Sequence, residues 1–163
     1  MVYSLRFNRV CDWLVCWGGD KMKLPHIVKY TDKVQAGNAR LFYVRINPRF
    51  KDDKGMHAHE YEHVKQWYAS LPIAALLWLA FEHFAPYYAY FFVALIPFGF
   101  SALYQFVKPF RYWTELRAFN AYLKEHDYKP RLIDWASNAI ANDYGLSVSA
   151  SKVKTDLFKL REG

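Results

Sequence analysis

The stretch that most constrains this chain is His59-Glu60-Tyr61-Glu62-His63, which sets two histidines one helical turn apart with a glutamate between them. The pattern works only on a helix, where both imidazoles face the same way and can bind one Zn²⁺. Glu60 lies about 100° round such a helix from His59. There its carboxylate reaches a water activated by the metal without becoming a ligand. The division of roles has a chemical reason: neutral nitrogen ligands keep the metal Lewis-acidic, and a nearby base takes the proton. The motif also makes a demand on the fold. A catalytic zinc needs a third protein ligand and an open position, so a later segment has to return to this helix.

The residues available as third ligand are Glu115, His57, Glu82, His83, Glu125 and His126. His57 sits nearly opposite His59 or just ahead of the helix. Glu82 and His83 lie far along the chain in an apolar region, and Glu125 and His126 fall at the polar end of their own helix. Glu115 opens Glu115-Leu116-Arg117-Ala118, in the first amphipathic segment after that apolar region. If the apolar region turns back on itself, this segment lies antiparallel beside the motif helix and Glu115 becomes the third ligand. As an alternative, Glu115 is an exposed partner of Arg111 or Arg117, which would contribute little.

Residues 71–107 carry one formal charge, Glu82. Residues 71–80 are apolar throughout, and residues 87–107 give about 21 uncharged positions, enough to cross a bilayer as a helix. Between them, Glu82-His83-Phe84-Ala85-Pro86 reads as the tip of a helical hairpin. Tyr87, Tyr88 and Tyr90 near the tip, and Trp67, Tyr68 and Tyr104 towards the base, resemble interfacial aromatic belts. Lys65, Lys108 and Arg111 place positive charge where the arms leave, which the positive-inside rule assigns to the cytoplasmic side. The expectation is a membrane hairpin. A buried helical pair competes with it, because the first arm is only about 15 residues and Pro97 and Gly99 interrupt the second.

Composition narrows the function classes. Of 163 residues, 53% are hydrophobic and 20% aromatic, which excludes a disordered chain. A net charge of +7 suits an anionic surface, but no basic tract interleaved with aromatics forms a recognition element, so no nucleic-acid partner is expected. Cys11 and Cys16 form neither a CxxC pair nor a disulfide framework and read as buried thiols in a reducing compartment. Charged residues scattered before Leu24 argue against a signal peptide. The composition sets no oligomeric state.

Coarse patterning places a short helix over Val10 to Trp17 and a strand over Leu41 to Ile46, closed by Asn47-Pro48. The motif helix is expected from about Met56 to Tyr68. Further helices follow from Arg111 to His126, from Arg131 to Asp143, and, capped by Ser147 or Ser149, up to Leu160. Tyr61, Tyr112 and Tyr122 are candidate transition-state donors.

The run from His59 to Trp67, followed by Glu115-Leu116-Arg117-Ala118-Phe119, resembles the gluzincin clan of zinc metallopeptidases. It is especially similar to small metallopeptidase-like proteins of bacteriophages and prophages. The approach from Ile46 to Asp53 and the segment Tyr144-Gly145-Leu146 share that resemblance, while the long apolar insertion departs from it. The resemblance implies His59, His63 and Glu115 as zinc ligands and Glu60 as catalytic base. The expected fold is mainly α with a small β edge (α+β): one minimal zincin-like domain over 1–163, with a hydrophobic hairpin inserted at 71–107. The expected function is zinc-dependent hydrolysis of a protein or peptide substrate. The expected setting is phage-encoded and membrane-associated, in a host inner membrane or virion, with the metal site facing the cytoplasm. The alternatives are a non-enzymatic phage structural or membrane-interaction protein with a structural zinc, and a membrane-binding morphogenesis factor.

Overall fold

The computed structural model describes residues 24–84 and 98–162. The expected helix over Val10 to Trp17, the two cysteines and the hairpin residues 85–97 lie outside them. The described part is mainly helical with a small three-stranded sheet, in agreement with the α+β expectation.

Val44 and Ile46 alternate with polar-facing neighbours, and this period-two pattern makes Tyr43–Ile46 (β3) the middle strand. It pairs in parallel with Ile27–Tyr30 (β1) and antiparallel with Gly37–Arg40 (β2), in the order β1-β3-β2. The expected strand from Leu41 begins two residues later, because Leu41 (φ 58°) and Phe42 form the turn out of β2. Both outer strands were missed in the sequence; they are short and mostly unburied, so they carry no alternating signal. Asn47 ends the sheet by accepting from Arg49 N–H at 3.1 Å and donating to the Val34 carbonyl at 2.8 Å.

Asp53 then caps the long helix Lys54–Phe84 (α1), accepting from Met56 N–H at 3.1 Å. The helix runs 31 residues, straight through Pro72, so the motif segment and the first apolar arm are one element rather than two. Its first half packs Met56 and Val64 against Val44 and Ile46. Its second half leaves Leu76, Leu77 and Leu79 exposed, as are Phe98, Leu103 and Phe106 of the helical stretch 98–106 (α2).

No helix among the described residues is long and apolar enough to cross a membrane, and this overturns both the expected transmembrane helix and the membrane location built on it. The physical reason lies in α1 itself. Half of its length is the polar motif segment, and the apolar remainder, about 14 residues, falls short of the roughly 20 that a bilayer requires. The expected polar break at Glu82-His83-Phe84 is likewise helical.

Val107 is extended, and Pro109 in the first turn starts Lys108–Glu125 (α3). This helix returns antiparallel along α1: Gln66 bonds the Thr114 carbonyl at 3.0 Å, and Asp53 meets His126 at 3.2 Å at the opposite end. Left-handed Asp127 and Tyr128 reverse the chain before Pro130–Asp143 (α4). Gly145 (φ 62°) supplies the turn towards Ala150–Glu162 (α5), whose Lys152 N–H is capped by Ser149 Oγ at 3.3 Å. Leu116, Phe119 and Leu123 of α3 close a core with Ile133, Ala136 and Ile140 of α4 and Val153 and Leu157 of α5. The sheet therefore covers one side of α1 and α3 the other, with α4 and α5 behind α3.

The Tyr112 hydroxyl donates to Asp156 Oδ2 at 2.7 Å, fastening α3 to α5, and Lys152 joins the same oxygen at 2.5 Å. Burial alone would push the Asp156 carboxyl up. The bonds from Lys152 and Tyr112 outweigh that and hold it below the ordinary value of 3.8. The ionised carboxylate thus adds stability that is present above 3.8 and lost as pH falls through the lowered folded value. Urea unfolding should show wild type more stable than Asp156→Asn at pH 7, with the gap closing below about pH 4. A gap independent of pH would contradict this.

Candidate metal centre

His59 and His63 sit one turn apart on the face of α1 that meets α3, and Glu115 projects from the first turns of α3 into the same seam. Glu115 Oε2 lies 3.8 Å from His59 Nε2, and Oε1 lies 3.6 Å from His63 Nε2. One ligand atom from each residue falls within 4.8 Å of the others. These separations are longer than hydrogen bonds and short enough for three donors to share one cation.

Each imidazole is oriented from behind. The His59 ring is hydrogen-bonded to the Ala118 backbone and stands edge-on to Phe119, with centroids 4.7 Å apart. His63 Nδ1 meets Gln66 Oε1 at 3.1 Å, and Gln66 is held in turn by the Thr114 carbonyl. With Nδ1 of His63 donating to Gln66, Nε2 is the nitrogen that faces Glu115, and loss of its proton gives the tautomer that a metal ligand needs. Burial first, and then the neighbouring His63, hold His59 well below its ordinary value, so it is neutral. Burial pulls His63 down as well, but the carboxylates of Glu115 and Glu60 outweigh it and raise this ring.

Glu60 lies between α1 and the sheet, close enough to His63 and Glu115 to feel their charge. The Ala39 N–H of β2 donates to its carboxylate, and Gly37 lies against it so closely that a Cβ there would stand 2.2 Å from Oε1. Burial pushes the Glu60 carboxyl up to about 7, with Glu115 adding to the rise and His63 and Ala39 opposing it. A base poised there can accept and return a proton near neutrality. Glu60 Oε2 and Glu115 Oε2 are both buried without a hydrogen-bond partner. The unsatisfied Glu115 oxygen beside two imidazoles suits a bound cation, and the nitrogen–oxygen donor set suits zinc.

The other residues considered for the site lie elsewhere. His57 Nε2 bonds the Lys51 carbonyl at 2.8 Å, and His126 pairs with Asp53. Glu82 and His83 end α1, far along the helix from the motif, and Glu125 is exposed at the end of α3. Among the tyrosines expected as donors, Tyr61 accepts from Leu24 N–H, Tyr112 is bound to Asp156, and Tyr122 stacks on His126 and Trp135. Two tyrosines outside that set reach Glu115 instead. The Tyr104 hydroxyl donates to Oε1, and Tyr144 also hydrogen-bonds the carboxyl. Burial, with the nearby carboxylate, raises both phenols and keeps them protonated as donors. Tyr144 was legible only as part of Tyr144-Gly145-Leu146, and Tyr104 was read as an interfacial aromatic. Glu62, the motif's second glutamate, is buried under Lys65 and Arg117 and ties α1 to α3.

No family model, no curated protein and no solved structure matches this chain, so no relative supports the expected phage origin or hydrolase class.

Gly37→Ala must displace the Glu60 carboxyl from its bond to Ala39. It should cost about 1–3 kcal/mol of stability, as overpacking does. Most of that cost should vanish in a Glu60→Ala background, where the clashing atoms are gone. Equal costs in both backgrounds, measured by urea unfolding, would show that Glu60 is not the obstacle.

Proposed function

We propose that this chain is a zinc-dependent peptide hydrolase with a minimal zincin-like arrangement, as the gluzincin resemblance implies. The observation that carries the reading is the seam itself: His59, His63 and Glu115 gathered within 4.8 Å, with Glu60 buried beside them. His59, His63 and Glu115 would hold the metal. A bound zinc supplies Lewis acidity, which makes water a nucleophile near neutrality and polarises a carbonyl.

The chain's own residues would do the rest. Ala118 and Gln66 keep the two imidazoles facing inwards. Glu60 would accept the proton of the attacking water and pass it to the leaving amine, a role that its burial beside the three ligands favours. β2 lies at the edge of the described sheet and against Glu60, so an extended peptide pairing with that edge would bring its carbonyl beside the base. A closed, purely structural zinc site needs a fourth protein ligand. The residue best placed in sequence for that, His57, is committed to the Lys51 carbonyl.

His59→Ala or His63→Ala should abolish stoichiometric zinc, and Glu115→Ala should weaken it strongly, by elemental analysis after dialysis. Full occupancy in Glu115→Ala would mean that the third ligand is another residue. Glu60→Gln should retain zinc while peptide-library cleavage drops by about 10²–10⁴-fold. Cleavage by Glu60→Gln at the wild-type rate would sink the hydrolase mechanism.

A further inference from the structure

Arg111 spends its guanidinium on backbone rather than on a carboxylate. Its Nε donates to the Tyr104 carbonyl at 2.8 Å, its Nη2 to the Gln105 carbonyl at 2.5 Å and its Nη1 to the Tyr144 carbonyl at 3.1 Å. The first two are at the end of α2 and the third follows α4. One side chain therefore ties together two segments that are distant in sequence. Each segment delivers a phenol to the same buried carboxyl: Tyr104 to Glu115 Oε1, and Tyr144 to the Glu115 carboxyl as well. The rings also flank the histidines. Tyr104 stands edge-on to His63 at 6.3 Å, and Tyr144 meets Phe119 at 6.2 Å, with Phe119 against His59.

We infer that Tyr104 and Tyr144, held by Arg111, are positioning residues that fix the Glu115 carboxylate so that Oε2 is the oxygen presented to a metal. The inference rests on the metal reading above. A carboxylate rotates easily about its last bond and can offer either oxygen or both. A phenol on Oε1 fixes the plane and occupies that oxygen, while Oε2 is buried and has no hydrogen-bond partner. The chemistry of the donors matters as well. Phenols are neutral, so they orient the carboxylate without cancelling the charge that attracts a cation. A guanidinium on Glu115 would cancel it, and Arg111 is instead satisfied by three carbonyls.

The test uses the full chain and Zn²⁺ in competition with a chromophoric chelator, with Co²⁺ absorption as a report of coordination geometry. Tyr104→Phe should weaken zinc binding by about 10–100-fold and alter the Co²⁺ spectrum, as loss of a partner behind a ligand does. Tyr144→Phe should act in the same direction. Arg111→Lys keeps the charge but cannot bridge three carbonyls, so it should also weaken zinc. Added to the Tyr104→Phe, Tyr144→Phe double variant it should weaken zinc no further, because Arg111 acts through those two phenols. Circular dichroism identifies any variant that fails to fold, and the remaining ones then carry the test. Wild-type zinc affinity and Co²⁺ spectra in the folded tyrosine variants, with binding lost in Glu115→Ala, would overturn this inference and leave the metal centre standing. Wild-type affinity in Glu115→Ala would instead remove the metal centre on which it rests.

Discussion

A carboxylate that is 1% exposed, Glu115, sits at the seam between α1 and α3, and most of the surrounding structure can be understood as compensation for it. Taking such a charge out of water costs several kcal/mol unless it is paired and hydrogen-bonded. The chain answers with two phenols on one side and two imidazoles on the other. Those partners come from α1, α2 and the turn after α4, so satisfying one side chain of α3 fixes the relative placement of four segments. Bonds at either end of the seam hold the same alignment. Gln66 grips Thr114 at one end, and Asp53, already the cap of α1, reaches His126 at the other.

The sheet does different work. β3 is the only described strand with a fully buried face, and Val44 and Ile46 seat it on Met56 and Val64 of α1. That seating brings β2 against Glu60, where Gly37 leaves room for the carboxylate and Ala39 gives it one hydrogen bond. Glu60 is thus held between sheet and helix with one oxygen bonded and the other without a partner. A carboxylate kept in this way suits the base role proposed for it, because a proton can come and go with little rearrangement.

Much of this was legible before folding. The spacing of His59, Glu60 and His63 dictated a helix, Glu115 was singled out because its segment follows the apolar stretch, and the helices from α3 onwards lie within a few residues of their patterned bounds. What misled was the apolar region itself. A run without charge reads alike whether it spans a bilayer or leans from the end of a helix, and nothing local announced that α1 continues through Pro72. The tyrosines that serve Glu115 were illegible for a related reason. Tyr104 and Glu115 are 11 residues apart across a helix break, and Tyr144 lies two helices further on, so no periodicity links them.

The sequence by itself determined which side chains face together on α1, because helical spacing is a local property of the backbone. It also determined which segments are amphipathic enough to cover that helix. Only the tertiary structure decided that Glu115 is buried, that its partners are Tyr104 and Tyr144 rather than Arg111 or Arg117, and that Gly37 opens the space for Glu60. Those outcomes depend on the antiparallel register of α1 and α3 and on the seating of β3. Contacts between distant segments set both, and burial and hydrogen-bond satisfaction are properties of the packed whole.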